Sequence, residues 1–333
     1  MPEDCISNVD GPSFRLRELA EVSSTNDVVK RALEAGEPEG LAVRACRQTG
    51  GYGRQGRTWA SPEGGLYLSL LLRPRVPSAQ LPTLSLVAGL AVREAVASFV
   101  DTKDAGSILV KWPNDVVVRQ SCAGGLCGHK TAESRHFQGA PNGVPAFPQD
   151  RRASDQALSS GGSEDSRHES ASGSVIGDSV PDSRSERASF AKLCGISLEA
   201  HAGGVCVGIG INVVPPDESV DVGGKNRPAY LADVAGWARV GALEAIGSVA
   251  RAVLGAFAPL YAVWCRQGFA PLLEEYEAHA SLTGKQVRIA DQAGSVLCEG
   301  TVRGIDVHGR LLVETDQGAI VPVSSGEAHI LNR

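Results

Sequence analysis

Gly51-Tyr52-Gly53-Arg54-Gln55-Gly56-Arg57-Thr58-Trp59 is a loop composed for close contact with a ligand. Its glycines let the backbone approach, while Arg54 and Arg57 set fixed positive charge beside it. That combination suits an anionic small molecule such as a nucleotide phosphate. The loop follows a strand that alternates Leu41, Val43 and Ala45. A second run, Lys111-Trp112-Pro113-Asn114-Asp115, places a lysine, a carboxylate and an aromatic ring at the end of a strand over residues 108–112. Taken with Lys192 and Asn212, these residues imply a site that activates a carboxylate with ATP.

Outward from these runs, Ser24-Thr25-Asn26-Asp27 offers capping side chains to a helix that Gly36 closes. Residues 67–72 form a strand stopped by Pro74, and a helix over 82–100 follows. Residues 111–115 then turn into a strand at 116–118. From 119 to 190 sustained apolar periodicity disappears, and residues 151–190 alone hold twelve serines. So polar a stretch buries too little apolar surface to offset the entropy of ordering it. It is expected to be a disordered insertion in a loop joining two neighbouring strands, where loop-closure entropy grows slowly with length.

Order resumes at Lys192-Leu193-Cys194-Gly195-Ile196, and a hairpin at Gly203-Gly204 leads into a strand over 205–213. Helical patterns occupy 242–265 and 271–279. The last fifty residues switch to period-two alternation at 286–290, 296–305, 311–315 and 319–323, with turns between, which predicts a small barrel of SH3-like size. The fold class is α+β: a mixed sheet flanked by helices from 20 to 280, then a C-terminal barrel over 283–333, with 1–19 as a tail.

Of 333 residues, 42% are hydrophobic and 21% charged, ordinary for a soluble globular protein. The formal net charge of −6 argues against nucleic-acid binding by the whole molecule. The N-terminus has the character of neither a secretory signal nor a transit peptide. The best apolar run, residues 84–100, is broken by Arg93 and Glu94, so no membrane span is expected. Eight scattered cysteines suit a reduced, cytoplasmic setting. Cys122, Cys127, His129 and His136 fit no common zinc spacing well.

Ser24-Thr25-Asn26, the loop around Arg54, Lys111-Trp112-Pro113-Asn114-Asp115, Lys192-Leu193-Cys194-Gly195-Ile196 with Glu199, and Gly208-Ile209-Gly210-Ile211-Asn212 fall in the order seen in biotin protein ligases. The chain resembles that family over about residues 20–118 and 190–333. The resemblance implies a ligase of two steps, in which biotin and MgATP give biotinyl-adenylate and the biotinyl group passes to one lysine of a carrier domain. Acetyl-CoA carboxylase or a related carboxylase would own that carrier. Arg54, Lys111, Asp115 and Lys192 are the implied catalytic set, with Asp115 a candidate Mg²⁺ contact or base. Biotin would lie among Ser24, Thr25, Asn26, Gln48, Gly51, Tyr52, Arg54, Lys192 and Gly195. ATP would be held by Arg54, Arg57, Trp59, Lys111, Asn114 and Asn212, with Trp59 packed on the adenine.

Plainer roles compete at several positions. Trp112, opposite in phase to Lys111, reads as core, and Asn114-Asp115 as turn residues. Gly208-Ile209-Gly210 lacks the third glycine and helix of a dinucleotide fingerprint. Tyr52 stands where the family pattern has an arginine, so one positive charge is expected to be missing, and an arginine there to slow release of the intermediate. With about twenty residues before Ser24, no DNA-binding module is expected. The rivals are a lipoate or octanoate enzyme on the same scaffold, and a degenerate binding protein.

Overall fold

The computed structural model describes residues 4–6, 11–53, 56–120, 189–216 and 227–331. Its main sheet has eight strands in the order β1-β2-β3-β4-β8-β7-β6-β5. These are β1 (Asp4–Ile6), β2 (Phe14–Val22), β3 (Leu41–Gln48), β4 (Gly65–Leu72), β5 (Ile108–Lys111), β6 (Asp115–Gln120), β7 (Ser189–His201) and β8 (Gly204–Asn212). Only β2 and β3 pair in parallel, and such a pair needs a crossover. Helix α1 (Thr25–Glu34) supplies it. The remaining helices are α2 (Leu84–Ala97), α3 (Thr102–Ala105), α4 (Leu231–Ala235), α5 (Arg239–Gln267) and α6 (Leu273–Ala278).

Every residue of β4 is buried, because helices cover both faces of the sheet's centre. Leu66, Leu68, Leu70 and Leu72 point into the larger core with α2 and α5. Leu71 points the other way, onto Val29, Ala32 and Leu33 of α1. The period of two therefore separates a wholly apolar face from one that also carries Ser69. Phe257, Tyr261 and Trp264 of α5 stack in series within the larger core. By length and composition α5 is apolar enough to cross a membrane, and the sequence reading, which weighed residues 84–100 as the best apolar run, overlooked it. Most of its apolar window is buried in the protein, which accounts for the composition.

Residues 1–19 are not all tail. Strand β2 begins at Phe14, which is fully buried against Phe257. The insertion enters after β6 and leaves before β7, and Gln120 pairs with Ser189 across its mouth. Residues 121–188, including Cys122, Cys127, His129 and His136, lie outside the described residues. The strand ends are held by their own ladder, so deleting 132–187 is expected to leave adenylate synthesis within about threefold of the full chain. A folded deletion variant with no synthesis would refute this.

The C-terminal sheet runs β12-β11-β10-β9-β13, all antiparallel. Its strands are β9 (Gln286–Ala290), β10 (Val296–Ile305), β11 (Leu311–Glu314), β12 (Ile320–Val323) and β13 (Glu327–Ile330). This is the expected SH3-like module, with β13 as an addition. Its Glu-Ala-His-Ile sequence carries only two apolar residues, too few for a periodic signal.

The linker to this module binds the outer edge of β5. Val110 N–H donates to His279 O and Ser281 N–H to Val110 O, both at 2.9 Å. Trp112 is buried as expected, and its Nε1 donates to Gly309 O at 2.9 Å.

Candidate active site

The site occupies the α1 face of the sheet. On β8, Val207, Ile209 and Ile211 enter the larger core, so Gly208, Gly210 and Asn212 face the other way. On β7, Gly195, Ser197 and Glu199 share that face. The glycines are placed by crowding. A Cβ on Gly208 would lie 2.4 Å from Asn26 Oδ1 and 2.5 Å from Ser197 Oγ. One on Gly210 would lie 3.0 Å from Trp59 Nε1, and one on Gly195 3.1 Å from the same indole.

A buried polar pocket lies where α1 begins. Ser24, Thr25, Asn26, Ser69 and Ser197 are almost fully buried. Thr25 N–H and Oγ1 donate to Gln48 Oε1 at 2.8 and 3.0 Å, and Gln48 Nε2 donates to Ser61 Oγ at 2.9 Å. Asn26 Nδ2 donates to Ser197 Oγ at 3.2 Å and to Glu199 Oε1 at 3.1 Å. Ser69 Oγ lies 2.7 Å from Thr25 Oγ1 and 2.6 Å from Asn26 Oδ1. Ser24 begins the helix in an extended conformation, but its side chain makes no capping hydrogen bond, contrary to expectation. Its burial beside the pocket explains the polar residue instead. Gly51 closes the pocket, because a Cβ there would meet Ser61 Oγ at 2.3 Å.

A second, charged centre lies at the turn between β5 and β6. Lys111 pairs with Asp115 in the ladder, and Lys192 Nζ reaches Asp115 Oδ1 at 2.8 Å. A register shift between Val116 and Val117 sets Lys192 opposite Val117. Burial holds the Lys111 ammonium below the usual lysine range, with Asp115 opposing. Lys192 Nζ lies 5.2 Å from the centre of the Trp59 ring, so loop and lysine meet. Asn212 Nδ2 donates to Lys192 O at 3.1 Å, and Asn114 Nδ2 to Ile196 O at 2.7 Å. Both asparagines thus brace the strands that carry the charged groups.

The glycine-rich loop folds back on itself: Tyr52 bridges Thr58, Gly53 N–H donates to Arg57 O, and Trp59 N–H to Gly51 O. Arg54 and Gln55 at its tip lie outside the described residues. Arg57 forms an ion pair with Glu327 of β13. Tyr52 adds no charge to the loop, but its hydroxyl is engaged. Lys30 of α1 donates to the Tyr52 hydroxyl at 2.7 Å, so a cation already stands there. An arginine at 52 would displace that hydrogen bond and compete with Lys30 for Asp27 and Glu199.

Sequence reasoning missed Lys30, Asp27, Ser61, Ser69, Ser197 and Glu327. Ser69 carried a signal, as the one polar side chain between Leu68 and Leu70-Leu71-Leu72. The others act through tertiary contact and have no local mark.

A buried hydrogen-bonding pocket thus lies beside a lysine–carboxylate centre, on a mixed sheet with an appended small antiparallel module. Residues 19–141 match the Biotin/lipoate A/B protein ligase family, and residues 282–330 match the Biotin protein ligase C terminal domain. Over those two segments the chain is similar to the biotin protein ligase family. Among its relatives, the Bifunctional ligase/repressor BirA of Bacillus spizizenii is 33% identical over 126 residues, 37% of each chain. The Biotin--[acetyl-CoA-carboxylase] ligase of Mycobacterium tuberculosis is 38% identical over 34% of this chain and 43% of its own. The matched stretch thus spans less than half of either relative. The biotin protein ligase of Aquifex aeolicus in complex with biotin and ATP superposes with a TM-score of 0.61 at 25% identity, covering 96% of this chain and 99% of that one.

Proposed function

We propose that this chain is an ATP-dependent biotin protein ligase that forms biotinyl-adenylate and transfers biotin to a lysine of a biotin carboxyl carrier domain, that of acetyl-CoA carboxylase or a related carboxylase. The observation that carries this is the adjacency of two centres on one sheet face. One is a pocket of amide and hydroxyl groups, and the other is the Lys111–Asp115–Lys192 cluster. A fused ureido ring needs partners for every N–H and C=O, which Thr25, Asn26, Gln48 and Ser69 can offer. A lipoyl or octanoyl chain brings no amide donors and acceptors to exchange with this polar lining, so the pocket favours biotin over that alternative.

In the first step a biotin carboxylate oxygen attacks the α-phosphorus of ATP, and the bond to the leaving pyrophosphate breaks. Two anions must meet, so fixed cations and exclusion of water lower the barrier. Lys192 and Arg54 would hold the carboxylate and α-phosphate, with Lys111 and Arg57 on the outer phosphates. In the second step the acceptor lysine nitrogen attacks the biotinyl carbonyl and AMP departs with its oxygen. That amine, ordinarily protonated below about pH 10.4, must first lose a proton. Asp115 would take it.

Mg²⁺ would enter with ATP as part of the substrate. No group of three or more His, Cys, Asp or Glu side chains that could cage an ion occurs among the described residues, and Asp115 offers one carboxylate. That fits an ion held mainly by phosphates and water. Cys46, Cys194, Cys206, Cys265 and Cys298 are free, in keeping with a reducing, cytoplasmic location.

The deciding experiment mixes the chain with MgATP and either biotin or lipoate and follows pyrophosphate. Release with biotin alone is expected. Release with lipoate alone would move the assignment to the sister activity, and release with neither would mark a binding protein.

A further inference from the structure

Lys30 was not among the expected site residues and Tyr52 was expected only as a biotin contact, yet the two are tightly engaged with each other. The Tyr52 hydroxyl accepts from Lys30 Nζ at 2.7 Å and donates to Asp27 Oδ1 at 2.9 Å. Lys30 Nζ also lies 3.2 Å from Asp27 Oδ1 and 3.1 Å from Glu199 Oε2, and 5.1 Å from the centre of the Tyr52 ring. The other oxygen of Glu199 accepts from Asn26 Nδ2, inside the ring pocket. One ammonium thus stands among a phenol and two carboxylates. Its charge is spent within the cluster, leaving none to offer a ligand.

The contact is therefore mechanical. Tyr52 lies at the base of the glycine-rich loop, paired with Thr58. Lys30 and Asp27 lie one turn apart on α1, and Glu199 lies on β7. We propose that Tyr52 and Lys30 form a clasp that fastens the glycine-rich loop to α1, and that Glu199 ties this clasp to Asn26 in the ring pocket. Both are positioning residues: they hold the loop over the reacting groups and touch none of them. Binding in the pocket fixes Asn26, which orients Glu199, then Lys30, then the loop. Chains of this kind strengthen when every member is satisfied. Burial pushes the Tyr52 phenol up to about 12, with Lys30 opposing, so it stays a neutral donor to Asp27 at neutral pH. Burial works against the Lys30 charge, but hydrogen bonds to Tyr52, Glu199 and Asp27 outweigh it and keep the ammonium protonated.

This inference rests on the proposed function for its ligand, and two readouts separate the two. In the full chain, Tyr52→Phe keeps the ring and removes the hydroxyl, while Lys30→Met keeps the stem and removes the charge. Each variant is expected to release biotinyl-adenylate about threefold to tenfold faster after rapid dilution, and to raise KM for biotin more than it lowers kcat. The double variant should be no worse than the poorer single one, because both break one clasp. Lys30→Arg should restore slow release. Amide hydrogen exchange over residues 51–59 without ligand reads the fastening directly and should quicken in both single variants. Unchanged exchange, additive losses or failure of Lys30→Arg to rescue would each overturn the clasp. Absence of adenylate in the wild-type chain would instead overturn the proposed function, with exchange still deciding the clasp.

Discussion

Lys192→Ala is expected to slow biotinyl-adenylate formation about a hundredfold or more, the scale seen when one charge-stabilising contact is removed from a preorganised site. The residue is held on every side. Its backbone N–H donates to Arg227 O at 2.7 Å, and its carbonyl accepts from Ala229 N–H and from Asn212 Nδ2. Its ammonium meets Asp115 at 2.8 Å with only 22% of the side chain exposed. Alanine removes the cation and leaves the Asp115 carboxylate, 15% exposed, without its nearest partner. The second effect is structural, so the measurement needs a control. Lys192→Ala with Asp115→Asn removes both charges and should recover stability but not rate. Pyrophosphate release in a single turnover is the readout. A normal rate in Lys192→Ala would show that the lysine serves only to balance Asp115.

Gly208→Ala is expected to weaken biotin binding about tenfold to a hundredfold. The backbone at Gly208 is ordinary strand, so alanine is allowed there and the difficulty is space. The new methyl would press on Asn26 Oδ1 and Ser197 Oγ, which would have to move apart. Asn26 would then lose its contact with Ser69 or its bonds to Ser197 and Glu199, and a buried amide left unpaired costs about 1–3 kcal/mol. Calorimetric titration with biotin reads this, and a matching titration with ATP alone should change far less. Equal losses for both ligands would mean that the substitution damages the sheet rather than the pocket.

What could be read from the chain depended on how local each cause is. Strands at residues 67–72 and 205–213, the helix after Ser24, and the turns of the C-terminal module follow from spacing within a few residues. The alternation at 208–212 was visible too, although its meaning was not: glycines on the site face are understood only once Asn26 and Trp59 are seen above them. Lys30 looked like any solvated lysine on an amphipathic helix, since its partners Tyr52 and Glu199 are 22 and 169 residues away. Residue 52 shows the hazard of reading one position alone. Against the family pattern it lacks a charge, whereas in the fold its hydroxyl joins the loop to Lys30 and Asp27 of α1. Strand β2 was missed because Phe14 and Leu16 alternate with Arg15 and Arg17 only briefly.

The linker that binds Val110 also decides how molecules of this protein can meet. An uncovered outer strand is a template on which foreign backbone can lay down a further strand, the first step of many aggregation routes. At β5 that template is occupied by the chain's own residues 279–281, so the sheet is sealed on the side that carries Lys111 and Asp115. Among the described residues, the ladder's remaining open end is β1, at the opposite limit of the sheet from the reacting groups. Any crowding-driven growth of the sheet would therefore start far from the chemistry and leave the entrance to the site clear.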